Sequence, residues 1–263
     1  MDLKDVECFL LDMDGTFYLG NELIDGALKF INVLKELDKE FIFLTNNSSK
    51  NTKNYQVKLK KMGVNVDLNH IVNSGEVTAD YVKQKKENAV VYIVGTPSLE
   101  EEFKNINLEI VRDKNKDIDY LVLGFDTTLN YEKLWDAHDL ILNGTSYIAT
   151  NPDDVCPLPG GKSMPDCGSI IKLLENSTGK TPLVIGKPNT LMIDYVSKKT
   201  GIKREKMAMM GDRLYTDIQT AHNADIMSIL VLSGETNKKD LKDASQNPDY
   251  VFDSIKRVSE KLI

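Results

Sequence analysis

Short apolar runs alternate with amphipathic segments along most of this chain of 263 residues. The apolar runs are continuous, which is typical of parallel strands that are buried on both faces. The segments between them have the length and periodicity of surface helices. The first members of the series are CFLL at 8–11, ALKFINVLKEL at 27–37, FIFLT at 41–45 and NTKNYQVKLKKMG at 51–63. This order of strands and helices predicts an α/β fold built on a parallel sheet.

The alternation continues to MSILVLSG at 227–234, with one interruption at 151–166. The interrupting segment, NPDDVCPLPGGKSMPD, is rich in proline and contains two adjacent glycines. We expect it to be an irregular loop, and long ordered loops in compact domains are often functional.

The composition limits the kinds of partner and the cellular compartment that we expect for this protein. The net charge of −7 argues against a general nucleic-acid-binding protein, because phosphate backbones are bound mainly by clustered Lys and Arg. Every apolar run is much shorter than the roughly 20 residues of a membrane span, so we expect no membrane partner and a cytoplasmic protein. Cys8, Cys156 and Cys167 match neither a zinc spacing nor a paired framework and are interpreted as reduced thiols.

Polar side chains follow several of the predicted strands, at the point where each strand ends. They are the carboxylates of Asp12, Asp14 and Asp212, the side chains of Thr45, Asn46 and Asn47, and the cation of Lys187. Ligands bind at the carboxyl ends of parallel strands in open α/β sheets, so these groups are expected to converge. Clustered carboxylates without His or Cys ligands favour Mg²⁺, and the cation with the hydroxyl and amide groups could hold a phosphoryl group. One carboxylate could then attack phosphorus while its neighbour handles the proton of the leaving group.

Four of these segments, taken together, resemble the haloacid dehalogenase superfamily of aspartyl-phosphate hydrolases. They are DMDGT at 12–16, Thr45, Lys187 and GDRLYTD at 211–217. The resemblance implies that Asp12 is the nucleophile and that Asp14 is the general acid and base. It implies that Thr45 and Lys187, helped by Asn46 and Asn47, hold the phosphoryl oxygens. It implies that Mg²⁺ is bound by the Asp12 carboxylate, the backbone carbonyl of Asp14 and the Asp212 carboxylate. Asp217 would be a nearby or outer partner.

The spacing of the motifs narrows the resemblance to subfamily IIA, the class of NagD-like and p-nitrophenyl phosphatases. Only a turn and a helix fit between Asp12 and Thr45, whereas about half of the chain separates Thr45 from Lys187. The phrases LTNNSSK, IATNPD and VIGKPN also match this class. The implied architecture is a Rossmann-like catalytic core at 1–83 and 182–263 with an inserted α/β cap of the C2 type at 84–181.

The implied function is Mg²⁺-dependent hydrolysis of a small phosphorylated metabolite such as a sugar phosphate, with p-nitrophenyl phosphate accepted in vitro. Two alternatives stay open: a phosphotransferase or mutase, and a binding protein of the same fold without catalysis. Members of this class commonly form dimers through the cap, so a homodimer is also an expectation. The cap would exclude water during the first chemical step, with residues 151–163 nearest to the leaving group.

Several other motifs have simpler interpretations. An EF-hand starting at Asp12 would need Gly and Glu where Phe17 and Leu23 stand, and GGKS at 160–163 lacks the first glycine and the preceding strand of a P-loop. Cys156 occupies the position where pyridoxal phosphate phosphatases typically carry a His, which argues against that substrate. Asp153 and Asp154 are interpreted as ordinary loop acids. His138 and His222 are interpreted as structural or surface residues, and His70 as the first residue of a strand. Trp135 and the methionines at 207, 209 and 210 are assigned to core packing.

Overall fold

The computed structural model describes residues 2–158, 160–242 and 247–263 and divides the chain into two compact units. The first unit comprises the chain up to Thr45, Tyr55–Val72 and Lys187–Ile263; the second comprises Asn46–Asn54 and Asn73–Gly186. The helix Ser74–Lys85 therefore belongs entirely to the second unit, although the sequence placed most of it before the cap. The division into a catalytic core at 1–83 and 182–263 and a cap at 84–181 stays a prediction.

The first unit contains a six-stranded sheet. In spatial order its strands are Tyr250–Phe252, Met227–Val231, Met207–Gly211, Cys8–Leu11, Glu40–Thr45 and Ile71–Asn73. The pairings among the first five of these strands are parallel. All four residues of Cys8–Leu11 are buried, as expected for a central strand that is covered on both faces.

Helices cover this sheet by burying one face each. They are Ala27–Glu36, Thr52–Lys61, Leu191–Thr200, Gln219–Ala224 and Ile255–Leu262. In the first of them Phe30, Ile31 and Leu34 are buried while Lys35 is exposed, which is the amphipathic spacing seen in the sequence. Phe30 meets Phe9 of the central strand edge to face, with ring centroids 5.6 Å apart.

The second unit is built on a five-stranded sheet whose pairings are all parallel. Its spatial order is Leu183–Val184, Ser146–Ala149, Tyr120–Leu123, Val90–Val94 and Glu109–Val111. Its helices are Ser74–Lys85, Pro97–Asn105, Tyr131–Leu142 and Cys167–Thr178. Two parallel sheets with flanking helices confirm the predicted α/β class.

The segment predicted to be an irregular loop contains an antiparallel hairpin, so that prediction is wrong. Val155–Leu158 pairs with Lys162–Pro165, and Gly160 and Gly161 both have positive φ at the turn. Two glycines between short strands allow a tight turn that other residues would strain, and this signal was present in the sequence. Pro159 lies outside the described residues.

Other elements were missed because they are short. They are the hairpin Tyr18–Leu19 with Glu22–Leu23, the edge strands Glu109–Val111 and Tyr250–Phe252, and the helix Ile255–Leu262. None of the helices in the described ranges is long and apolar enough to cross a lipid bilayer.

The core assignments were partly right. Met207, Met209 and Met210 are fully buried, but Trp135 is 61% exposed and the assignment of its ring to the core is wrong. The Lys114 ammonium lies 5.4 Å from the centroid of that ring. All three cysteines are free, and burial raises the pKa of Cys8 and of Cys167 to about 12, which keeps both thiols protonated and unreactive.

Candidate active site

Strand register brings the predicted site residues of the first unit to one edge of its sheet. Leu11 lies opposite both Met210 and Phe43 in the neighbouring strands, and Asp12 N donates a hydrogen bond to Met210 O over 2.9 Å. Asp12 and Asp212 therefore follow their strands, and Thr45 is the last residue of its strand, at the same end of the sheet. Parallel pairing therefore explains the predicted convergence for three of the four sequence segments, all except the one that carries Lys187.

Three carboxylates form a tight cluster at this edge. One oxygen from each of Asp12, Asp212 and Asp217 lies within 4.8 Å of the other two. Asp212 and Asp217 are buried, and Asp12 is half-buried. The Asp14 side chain is not a member of this cluster and is exposed. Asp217 is therefore a full member of this cluster, together with Asp12 and Asp212.

The Lys187 ammonium bridges two of these carboxylates. Its Nζ donates to Asp12 Oδ1 over 2.5 Å, to Asp217 Oδ1 over 2.6 Å and to Leu44 O over 3.2 Å. Burial alone would lower the pKa of Lys187, but the negative charges of Asp12 and Asp217 outweigh it and raise that pKa. The lysine therefore remains a cation inside the protein and orients both carboxylates.

The cluster still carries an excess of negative charge. Burial raises the pKa of Asp12, Lys187 opposes that rise, and repulsion from Asp217 and Asp212 adds to it. Burial followed by repulsion from Asp217 likewise raises the pKa of Asp212. Hard oxygen ligands that repel one another in a buried place are the donor set that a divalent cation stabilises.

Two glycines make room for these carboxylates. A Cβ added to Gly15 would lie 2.3 Å from Asp212 Oδ2, and the φ of Gly15 is +90°, a value that L side chains rarely adopt. A Cβ added to Gly211 would lie 2.2 Å from Asp217 Cγ. Both glycines belong to the sequence motifs, and close approach to a carboxylate explains their presence there.

Asp14 lies on a tight turn that separates it from Asp12. The amides of Phe17 and Tyr18 both donate to Met13 O, and Gly15 N donates to Tyr18 O. Nearby protein atoms partly desolvate the Asp14 carboxyl and raise its pKa, although the residue stays exposed and Lys58 and Arg213 act in the opposite direction. A raised pKa favours the protonated form that a general acid needs.

The remaining predicted residues lie around the strand that ends at Thr45. Thr45 is buried at the end of Glu40–Thr45 in the first unit, whereas Asn46 and Asn47 belong to the second unit. Asn46 Nδ2 donates to Asp153 Oδ2 over 2.8 Å, and Asn47 Oδ1 accepts from Ser49 N over 3.0 Å. The roles of Thr45, Asn46 and Asn47 in holding phosphoryl oxygens stay predictions.

The loop acids have partners of the kind expected for structural residues. Asp153 Oδ2 also accepts from Asn151 Nδ2 over 3.0 Å, and Asp154 forms an ion pair of 2.6 Å with Lys172.

His70 stacks on Phe41 with centroids 4.7 Å apart, and His222 Nε2 lies 3.2 Å from Asn247 O.

Residue-by-residue reasoning missed two groups beside the cluster, Arg213 and Glu235. Arg213 N donates to Asp217 Oδ2 over 3.2 Å, and Glu235 N donates to Asp212 Oδ2 over 2.7 Å. Arg213 stands inside the motif at 211–217, which was a usable signal. Glu235 follows a different strand, and only the fold brings it to Asp212.

Two family models match the chain and cover both parts of the sequence that carry this cluster. Residues 9–109 match the haloacid dehalogenase-like hydrolase model, and residues 184–258 match the HAD-hydrolase-like model. This chain belongs to the haloacid dehalogenase-like hydrolases. The sequence-based recognition of the superfamily is confirmed.

Full-length relatives agree with this assignment and define the class of enzyme. An acid sugar phosphatase of Staphylococcus haemolyticus is 34% identical over 253 residues, which is 96% of this chain and 95% of that protein. The crystal structure of a 4-nitrophenylphosphatase from Thermotoga maritima has a TM-score of 0.95 and 45% identity, covering 99% of each chain. A glycerol phosphate phosphatase from Mycobacterium tuberculosis, solved in complex with magnesium, has a TM-score of 0.90 and 28% identity over 98% of this chain and 78% of that one. This haloacid dehalogenase-like hydrolase is a phosphatase of the NagD-like and p-nitrophenyl phosphatase subfamily.

Proposed function

We propose that this phosphatase is Mg²⁺-dependent and hydrolyses a small phosphorylated metabolite of the sugar phosphate kind through an aspartyl-phosphate intermediate. The observation that supports it most directly is the Asp12 carboxylate, which contacts the Lys187 ammonium and lies beside Asp212 and Asp217. A carboxylate held by a cation at the carboxyl end of a parallel strand has the position and the orientation that a nucleophile requires.

Asp12 and Asp14 have different roles in the two proposed chemical steps. In the first, an Asp12 oxygen forms a bond to phosphorus, the bond from phosphorus to the leaving oxygen breaks, and Asp14 donates a proton to that oxygen. In the second, Asp14 takes a proton from water, the water oxygen bonds to phosphorus, and the bond to Asp12 breaks to release inorganic phosphate. Lys187 and Thr45 are proposed to bind the phosphoryl oxygens.

The residues present fit a bound Mg²⁺. The cluster offers carboxylate oxygens only, and the glycines at 15 and 211 let Asp212 and Asp217 approach the main chain closely enough to take part in it. We propose that Asp12, Asp212 and the backbone carbonyl of Asp14 hold the ion, with Asp217 as an outer partner that binds Lys187 and Arg213 N. Bound Mg²⁺ neutralises charge on the phosphoryl oxygens and on the carboxylates.

The choice of substrate class rests on relatives. One is named an acid sugar phosphatase, one a 4-nitrophenylphosphatase and one a glycerol phosphate phosphatase. All three names describe small phosphate monoesters, and the first favours a sugar phosphate as the natural substrate of this chain.

The test is phosphate release by the purified protein from p-nitrophenyl phosphate and from a panel of sugar phosphates, with Mg²⁺ or with EDTA. We expect turnover with Mg²⁺, loss of turnover with EDTA, and a kcat/KM that is highest for one class of sugar phosphate. Phosphate release that needs an added acceptor or a bisphosphate primer would instead indicate a phosphotransferase or mutase. No release from any substrate would favour a binding protein without catalysis.

We also propose that the protein forms a homodimer through the helix Tyr131–Leu142 of the second unit. Tyr131, Trp135 and Leu142 are 79%, 61% and 57% exposed, and their spacing places them along one side of the helix. Light scattering after gel filtration should give a dimer mass for the wild type and a monomer mass for Trp135→Lys. Leu28→Lys, at a residue 44% exposed in the first unit, is the matched control and should stay dimeric. A monomeric wild type would disprove the dimer.

A further inference from the structure

A short segment that follows the strand Met227–Val231 encloses the carboxylate of Asp212. Within Ser233–Thr236, Glu235 N donates to Asp212 Oδ2 over 2.7 Å, and Thr236 N donates to the backbone oxygen of Asp212 over 3.2 Å. Gly234 lies so close that an added Cβ would be 1.9 Å from Asp212 Oδ2. Asp212 is therefore held by the main chain of a segment about twenty residues away in sequence.

The same segment is tied to the loop that carries Asp14. Ser233 Oγ donates to Gly15 O over 2.8 Å. Gly15 is also the residue whose added Cβ would lie 2.3 Å from Asp212 Oδ2, so the main chain of two segments closely approaches this carboxylate oxygen. A displacement of Ser233–Thr236 would thus move Asp212 relative to the loop at 13–15.

Glu235 joins two consecutive residues of the motif at 211–217. Its backbone N–H holds Asp212, while its side chain forms an ion pair of 3.0 Å with Arg213 Nε and accepts a hydrogen bond of 2.9 Å from the Tyr215 hydroxyl. Arg213 N in turn donates to Asp217 Oδ2. One residue outside the motif therefore restrains both carboxylates of the motif, Asp212 directly and Asp217 through Arg213.

We propose that Ser233–Thr236 is a positioning segment for the metal carboxylates and that Glu235 is its main positioning residue, acting chiefly through its backbone N–H. The inference rests on the proposed function in so far as Asp212 binds Mg²⁺. Mg²⁺ requires near-ideal octahedral geometry, so an oxygen donor must be oriented before the ion arrives. Asp212 Oδ2 accepts the hydrogen bond of 2.7 Å from Glu235 N. Asp212 Oδ1 accepts only a longer hydrogen bond of 3.3 Å from Thr16 Oγ1, so we assign Oδ1 as the oxygen that binds the ion.

The test is the dissociation constant for Mg²⁺, measured without substrate from the rise in Tm as Mg²⁺ is added. Glu235→Pro removes the N–H, and Gly234→Ala pushes a methyl group against Asp212 Oδ2. Loss of an outer partner of a metal ligand typically weakens metal affinity about 10- to 100-fold, so both variants should raise the dissociation constant at least about tenfold. Glu235→Ala keeps the N–H and is the matched control, expected to change it by less than about threefold.

Kinetic measurements distinguish a positioning role of Ser233–Thr236 from a general effect on the stability of the fold. At saturating Mg²⁺ both variants should recover most of the wild-type kcat with an unchanged KM for p-nitrophenyl phosphate, while the Mg²⁺ concentration for half-maximal rate rises in step with the dissociation constant. A purely structural role would lower the Tm without Mg²⁺ and leave Mg²⁺ affinity unchanged.

Three outcomes would overturn the inference: wild-type Mg²⁺ affinity in both Glu235→Pro and Gly234→Ala, a loss in Glu235→Ala equal to that in Glu235→Pro, or no Mg²⁺-dependent rise in the Tm of the wild type. The binding readout needs no turnover, so it is independent of the proposed activity. A wild type that binds Mg²⁺ but hydrolyses no substrate would refute the proposed function alone. Active enzyme with unaltered Mg²⁺ affinity in the variants would refute the positioning role alone.

Discussion

Asp12→Asn should lower kcat for p-nitrophenyl phosphate by roughly a thousandfold or more, because it removes the oxygen nucleophile and not merely a contact to substrate. The amide is nearly isosteric with the carboxylate, so the fold should persist. Steady-state phosphate release with Mg²⁺ measures the loss. Acid quenching with labelled substrate should trap a phosphoryl group on the wild type and none on Asp12→Asn.

The matched control is Asp25→Asn, which also removes one carboxylate from the first unit. Asp25 is exposed and its partner is Lys256, at 2.8 Å. This control should keep kcat within about twofold of the wild type, since exposed ion pairs contribute little. If Asp12→Asn retained a tenth of the activity, or still trapped label, another residue would be the nucleophile.

Lys187→Met should lower the free energy of unfolding of the metal-free protein by about 3–5 kcal/mol, because breaking a buried ion pair from one side leaves uncompensated charge. Lys187 is 2% exposed and bridges Asp12 and Asp217. Without its positive charge, these two carboxylates would repel each other. Urea denaturation in EDTA measures the change. We also expect activity to fall sharply, since Lys187 is proposed to bind phosphoryl oxygens.

A second substitution tests whether repulsion between the carboxylates causes this loss of stability. Lys187→Met combined with Asp217→Asn removes one of the opposing charges and should recover part of the lost stability, whereas independent sites would give additive losses. Mg²⁺ should stabilise Lys187→Met more than the wild type, because the ion replaces the missing positive charge. Lys203→Met, at a side chain 79% exposed, is the control and should change stability by less than about 0.5 kcal/mol. Additive losses in the double variant would mean that Lys187 stabilises the fold by packing alone.

Much of the fold could be predicted because its signals are local. Buried parallel strands such as Cys8–Leu11 are continuous apolar runs, and Phe30, Ile31 and Leu34 have the spacing of a buried helix face. Short elements carried too few residues for periodicity to show. The edge strand Tyr250–Phe252 is only three residues long, and the hairpin at 155–165 was hidden among prolines.

Trp135 illustrates a different kind of error. Its size and hydrophobicity suggested a core position, but it lies on the outward side of Tyr131–Leu142, where its neighbour is the Lys114 ammonium. Exposed aromatic residues cannot be distinguished from core residues by residue type alone.

The amino-acid sequence alone determined the α/β class, the family, and the identity of Asp12, Asp14, Lys187 and Asp212 as candidates, because motif spacing and strand-end position are properties of the chain itself. Tertiary structure decided which groups touch. It placed Asp217, on the helical turn Leu214–Ile218, in the carboxylate cluster, Lys187 between Asp12 and Asp217, and Glu235 against Asp212. Apart from the pair Asp212 and Asp217, these contacts join residues that are distant in sequence, so spacing along the chain could not predict them.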